Sequence, residues 1–275
     1  MHKQASITAL LLTIILAGWA IAQEDTQSSA ASAQDQIHAI EGALHEGNWE
    51  LARRAGQFVT QGLAERSGGS IGDHRSHADA RNVALFDPQP SIEAGLLGRA
   101  SALQAIAEAE LGHLEDARWH WYVAQNLSRE VRSMDLSHYG EAGEYLRQCL
   151  LSNESQRARV IDVLDPVRPE RTYGNSFQPP VRTKVAYPRR PQDLRNRDRF
   201  SQVVNVQITV DESGQIVQPL VMDGGFYPGL VYRAFEALRD WRYQPASLNG
   251  QPVSYRYIMP IVFADDRPEN PGVSF

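Results

Sequence analysis

The hydrophobic residues of this 275-residue chain change their period near Asp165, and that change restricts the chain to two structurally different domains. Before it, apolar residues recur at steps of three and four, which lines one face of an α-helix. Beyond it they alternate with polar residues, the pattern of a strand with one buried face. Between the two regimes the prolines 166, 169, 179, 180, 188 and 191 punctuate a stretch without helical period. That predicts an extended, proline-rich linker over 165–180. The expected fold class is α+β and multidomain, an all-α domain followed by a smaller α/β-containing one.

Composition narrows the functional classes. With 42% hydrophobic and 22% charged residues, the chain is neither collagen-like, nor a coiled coil, nor wholly disordered. Its 27 basic residues are outnumbered by 33 acidic ones, for a formal charge of −6. There is no overall positive field to draw in DNA or RNA, and no nucleic-acid partner is expected. A single cysteine, Cys149, excludes an intramolecular disulfide and a cysteine-based zinc site.

The N-terminus supplies a compartment. Met1, His2 and Lys3 make a short basic start, an apolar run follows from Ala5 to Trp19, and Ala20-Ile21-Ala22 ends it with small residues at the positions a signal peptidase reads. Residues 1–22 therefore read as a secretory signal peptide. An uncleaved inner-membrane anchor is the competing reading, because Ala5 to Ala22 is long enough to span a bilayer. Either reading exports the rest. Polar residues 23–34 are expected to form a flexible leader, and 266–275 a flexible tail.

From residue 35 to 164 the chain reads as helices. Ile37, Ile40, Leu44, Leu51, Ala55, Phe58 and Val59 line one face of a helical pair broken at Glu46-Gly47-Asn48. Leu96, Ala100, Leu103, Ala107 and Leu111, a turn at Gly112-His113, then Ala117, Trp121 and Ala124 make a second. Gly47 and Ala52 recur 65 residues later as Gly112 and Ala117. The second pair resembles the tetratricopeptide repeat, with Ala105, Gly112, Ala117, Trp121 and Ala124 at its small and aromatic positions; the first has Gly56 where the aromatic belongs. Such units need neighbours to bury their faces, and Gly140–Ser152 and Arg157–Leu164 are expected to supply closing helices. A surface of this type binds peptides or serves as a spacer, and both readings stand.

An insertion near 66–90, rich in Gly, Ser, His, Asp and Pro, reads as disordered. Gly68-Gly69-Ser70-Ile71-Gly72 matches a nucleophile-elbow pattern without the strand and helix that chemistry needs. His74 and His77 lack a third ligand, so no metal is assigned. Cys149, beside Leu146 and Leu150, reads as a buried hydrophobe. No catalytic residue, cofactor or enzymatic activity is expected.

The second domain, 181–265, carries the stronger signal. Val204, Val206, Ile208 and Val210 alternate up to Asp211-Glu212-Ser213-Gly214, a second strand runs from Gln215 to Met222, and Val231, Phe235, Leu238 and Trp241 step along one helix. A last strand alternates Val253, Tyr255, Tyr257, Met259, Ile261 and Phe263. The order β-β-α-β predicts an antiparallel sheet crossed by one helix. In this reading Pro245 stops the helix and Asn249-Gly250 turns the chain into the last strand.

Tyr187-Pro188, the run VNVQITVDESGQI with its Gly214, the segment Leu238-Arg239-Asp240-Trp241-Arg242-Tyr243, then Gln244-Pro245-Ala246, Asn249-Gly250-Gln251-Pro252-Val253 and Pro260-Ile261-Val262-Phe263 together resemble the TonB C-terminal domain. The resemblance covers about 80 residues; Gln202 replaces the glycine that the family carries before its first strand. It implies a periplasmic domain that captures a short segment of an outer-membrane transporter as an added strand. The candidate edge is the last strand, with Val253, Tyr255, Arg256, Tyr257, Ile258, Met259, Ile261 and Phe263; Pro260 favours an edge position and also removes one donor from that ladder. An edge covered by the chain itself is the alternative.

A basic arm precedes the domain: Arg182, Lys184, Arg189, Arg190, Arg195, Arg197 and Arg199 against Asp193 and Asp198. It suits anionic headgroups or an acidic partner, or is simply solvated. The expected function is a periplasmic adaptor for protein or peptide segments. The alternative is a membrane-anchored energy transducer working with inner-membrane motor proteins; against it, the only N-terminal histidine is His2, outside the apolar run. A homodimer through exposed strands is a further possibility.

Overall fold

A computed structural model describes residues 26–66, 92–157, 161–162, 174–191, 202–223 and 227–263, which belong to two compact units. The signal segment 1–22, the insertion with Ser70, His74 and His77, and the tail 266–275 lie outside the described residues.

The helical period of the first half gives α1 (Thr26–His45), α2 (Trp49–Arg66), α3 (Ile92–Glu110), α4 (Leu114–Leu127) and α5 (Gly140–Arg157). Helix α1 starts within the stretch expected to be a flexible leader. Ala30, Ala31 and Ala33 favour helix there, and Ala33 is buried in the core with Ile37, Ile40 and Leu44. Phe58, expected to face inward, is 39% exposed, because α2 turns Ala52, Gly56, Val59 and Thr60 inward instead.

Both hairpin turns are built alike. Gly47 (φ +69°) donates to the Leu44 carbonyl at 3.0 Å, and Asn48 to that of Ala43 at 2.8 Å. Sixty-five residues later Gly112 (φ +77°) donates to Ala109 at 3.0 Å, and His113 to Glu108 at 2.8 Å. This pair of bonds is the Schellman motif, which satisfies the last carbonyls of a helix and places glycine where the backbone is left-handed.

Helix α3 is buried nearly all round, so its polar side chains must find partners within the unit. Gln104 Nε2 donates to Glu108 Oε1 at 3.0 Å, Glu108 Oε2 lies 2.6 Å from His120 Nδ1, and the Thr60 hydroxyl reaches Gln104 Oε1 at 3.3 Å. One polar chain thus joins α2, α3 and α4. Gly56 has a steric role. A Cβ there would come within 2.9 Å of Gln104 Cβ and 3.3 Å of its Cα. The fully buried Trp121 fills the corresponding place in the second hairpin.

Where a closing helix over Arg157–Leu164 is expected, the described residues differ: α5 ends at Arg157, and Ile161–Asp162 is a strand, β1, belonging to the second unit. The run Val160-Ile161-Asp162-Val163 explains the change, since β-branched residues favour strands.

In the second unit, β4 (Gln202–Val210), β5 (Ile216–Asp223), α6 (Pro228–Arg239) and β9 (Tyr255–Phe263) build the main body. The four-stranded sheet has the order β1-β9-β4-β5. Strand β4 pairs antiparallel with β9 from Gln202↔Phe263 to Val210↔Tyr255, and antiparallel with β5. Val204, Val206, Ile208, Val210, Met259, Ile261 and Phe263 are buried, as are Leu230, Ala234, Phe235 and Leu238 of α6.

Part of the expected linker belongs to this unit. Strand β2 (Phe177–Gln178) pairs with β7 (Ala246–Leu248), and β3 (Val181–Lys184) with β6 (Arg242–Gln244). Asn249 (φ +53°) and Gly250 (φ +79°) connect β7 to β8 (Gln251–Val253), as a two-residue turn with both residues left-handed. The expected single last strand is therefore divided at Ser254, and the turn feeds β8 rather than β9. Trp241, expected on the helix, lies just past its C-cap Asp240, and Pro245 lies between β6 and β7 rather than ending the helix.

The β4–β5 turn is fixed against β6. Gly214 (φ +81°) accepts a hydrogen bond from the Tyr243 N–H at 2.9 Å, and a Cβ on it would sit 1.9 Å from the Tyr243 carbonyl oxygen. Gly112 has nothing within 4 Å of its Cβ position. Gly112→Ala should therefore carry only the left-handed backbone cost, about 1–2 kcal/mol. Gly214→Ala adds a backbone collision and should cost about 3 kcal/mol or more. Urea denaturation of the two variants checks the difference; equal losses would disprove the collision.

Candidate peptide-binding edge

Strand β9 alternates. Tyr255, Met259, Ile261 and Phe263 are buried, whereas Ile258 and Val262 are 43% and 41% exposed. Pro260 sets the orientation of the backbone. A proline has no N–H, so it keeps the β4 ladder whole only where its nitrogen looks away from β4. With a period of two, the backbone groups of Arg256, Ile258 and Val262 look the same way, toward the outer edge. On the solvent face of the sheet Ile258 pairs across with Gln207, and Val262 with Val203, itself 36% exposed.

The other outer strand is a poorer template. Its register with β4 shifts between Gln207 and Thr209, and Gln218 there has φ +53° with Pro219 next to it. Such a bulge interrupts the row of donors and acceptors that an added strand would use.

The eight candidate residues separate accordingly. Val253 lies in β8 and is no part of the edge. Tyr255 and Arg256 lie alongside β1, which pairs parallel to β9 with Ile161↔Tyr255 and Asp162↔Arg256. Met259, Ile261 and Phe263 point into the core. Tyr257 is partly buried, and its hydroxyl donates to that of Tyr243 at 3.0 Å. Arg256 and Ile258 remain with outward backbone groups. Val262 and Val203 were not among the sequence candidates, although counting by twos from Pro260 identifies Val262.

The basic arm is partly held by the domain. The Arg182 guanidinium lies 5.0 Å from the centre of the Trp241 ring, a cation–π arrangement. Lys184 is in register with Arg242, and Arg190 donates to the Phe263 carbonyl at 3.2 Å. Arg189 is exposed, and Arg195, Arg197 and Arg199 lie outside the described residues. The motif residues are mainly structural. Trp241 Nε1 donates to the Ala186 carbonyl at 2.6 Å, holding the segment after β3, and Arg242 reaches the carbonyls of Arg239 and Trp241 at 2.8 and 2.7 Å. Tyr187 is 60% exposed and Pro188 lies beside it.

Residues 183–264 match the family model described as Gram-negative bacterial TonB protein C-terminal. This segment is similar to the TonB C-terminal domain. No curated protein and no solved structure matches the chain. The match takes in β9, its β4 ladder and the hairpin beside it, and leaves helices α1 to α5 outside. Among the described residues no group of three His, Cys, Asp or Glu side chains could hold a metal, and no helix is long and apolar enough to cross a membrane.

Beside the edge, burial pushes the phenols of Tyr243, Tyr255 and Tyr257 above their ordinary value, with the neighbouring Tyr243 adding to the effect at Tyr257. A raised native pKa gives stability that is complete below the unfolded value of about 10 and is lost as pH rises beyond it, because only the unfolded phenols ionise there. The second unit should therefore lose stability steeply above about pH 10. Tyr257→Phe should flatten that alkaline slope; denaturation midpoints from pH 8 to 12 check it, and an unchanged slope would refute the role of Tyr257.

Proposed function

We propose that the chain is an exported, periplasm-facing adaptor that binds extended protein segments by adding them as a strand at the outer edge of β9. The observation that carries this reading is the one-sided pairing of β9. All nine of its residues are in register with β4, while among the described residues only Tyr255 and Arg256 have a partner strand on the other side. Backbone groups along an open edge supply affinity, and alternate side-chain contacts supply choice of partner. Ile258, Val262 and Val203 offer an apolar surface for every second residue of the guest.

The TonB match supports a protein as partner, and a segment of an outer-membrane transporter is the guest that the family suggests. Arg189 and Arg190, near the end of the edge, favour guests with a carboxylate. The repeated Schellman turns and the position of Trp121 support a tetratricopeptide-type repeat in the first unit, as a second binding surface or a spacer.

The test is a display library of random ten-residue peptides selected on the full chain, with affinities of the enriched peptides measured by calorimetry. Ile258→Pro removes one outward donor and leaves the inward ladder intact. It should weaken capture by about tenfold or more, the equivalent of one ladder bond and its steric surroundings, with an unchanged far-ultraviolet spectrum. Equal affinity in the folded variant would sink strand addition at β9.

A further inference from the structure

The outer edge of β9 is already occupied at its start by a strand of the same chain. Strand β1 lies parallel to β9, with Ile161 against Tyr255 and Asp162 against Arg256. From Tyr257 to Phe263 no strand lies outside β9 among the described residues. We propose that β1 is an internal competitor for the binding edge, displaced when a guest strand takes the full length of β9. The proposal rests on the strand-addition reading.

Three observations converge on it. The position is the same, since β1 lies in register beside Arg256, the first in the series that continues with Ile258 and Val262. The pairing is weak enough to yield, because among the described residues it spans two residues and is parallel, slightly less stable per residue than an antiparallel ladder. The sequence is that of a strand guest: Val160-Ile161-Asp162-Val163-Leu164 carries three β-branched residues and one acid, and the acid is in register with Arg256.

Tethering lets so short a strand compete. Fourteen residues separate Asp162 from Phe177, the first residue of β2. A connection of that length gives an effective concentration on the order of mM. A free guest must overcome this concentration to occupy the first positions of β9, so weak segments would be refused and strong ones admitted. A guest confined to Tyr257–Phe263 would escape the competition and bind a shorter ladder.

The probe is a fluorescein-labelled synthetic peptide with the sequence of residues 158–165, which carries in trans the strand that the chain holds in cis. Its binding to the full chain is followed by anisotropy. In the double variant Ile161→Pro, Asp162→Pro the internal strand is disabled, and the peptide should bind about tenfold tighter than to the unaltered chain. Adding Ile258→Pro should weaken that binding again. A second pair of substitutions, Asp162→Cys with Arg256→Cys in a Cys149→Ser background, locks β1 in place when oxidised. Peptide binding should then fall about tenfold or more and return on reduction. Equal binding to the unaltered and the double-proline chains, or no effect of the lock, would overturn the competitor and leave capture at the edge standing. Failure of the peptide to bind any form, together with failure of selected peptides, would overturn capture itself.

Discussion

One missing hydrogen governs the functional side of this protein. Pro260 cannot donate, so the β4–β9 ladder survives only with that nitrogen turned outward. Nine residues of continuous register then fix the orientation of every other group along the strand. Buried side chains and the inward ladder stay with β4, while Arg256, Ile258 and Val262 present backbone to the opposite side. The outer edge follows from the packing of the core, because a slip by one residue would expose Met259, Ile261 and Phe263 and bury the solvent face.

The helical unit rests on a different constraint, the close approach of helices at small residues. Gly56 lets α2 reach the backbone of α3 at Gln104, and Gly98 does the same where α3 meets Ser128, a Cβ there lying 2.7 Å from Ser128 Cβ. Burying α3 brings polar groups inside, and the chain Thr60–Gln104–Glu108–His120 answers each with a partner. Such a network is stable only when complete, since removing one member leaves another buried and unsatisfied. The two hairpins use the same turn but close differently, with glycine in one groove and Trp121 in the other.

What the sequence disclosed depends on the range of the interactions involved. Alternation in β4 and β9, the three-four spacing in α1 to α4, and the glycines at 47 and 112 are local signals, and all were legible. The pairing of Phe177 with Leu248, or of Val181 with Gln244, is not local. The prolines around those strands read as a linker because nothing nearby indicates a partner so distant in sequence. Trp241 continued a helical stepping pattern although Asp240 already caps the helix, so periodicity alone ran two residues too far. At the edge, Pro260 pointed to the correct strand, but the residues chosen along it mixed inward with outward positions. Strand β1 was missed because a short apolar run after a helix does not reveal whether it extends that helix or begins a strand.

The length of the β4–β9 ladder has a mechanical consequence. Both strands, and any strand laid beside them, run along one axis. Tension along that axis loads all the rungs together, and none opens until many do. A pull across the sheet meets the rungs one at a time, starting at an end. The same edge can therefore hold firmly against a lengthwise load and still release by peeling, so the direction of pulling, as much as affinity, would set how long a captured strand remains attached.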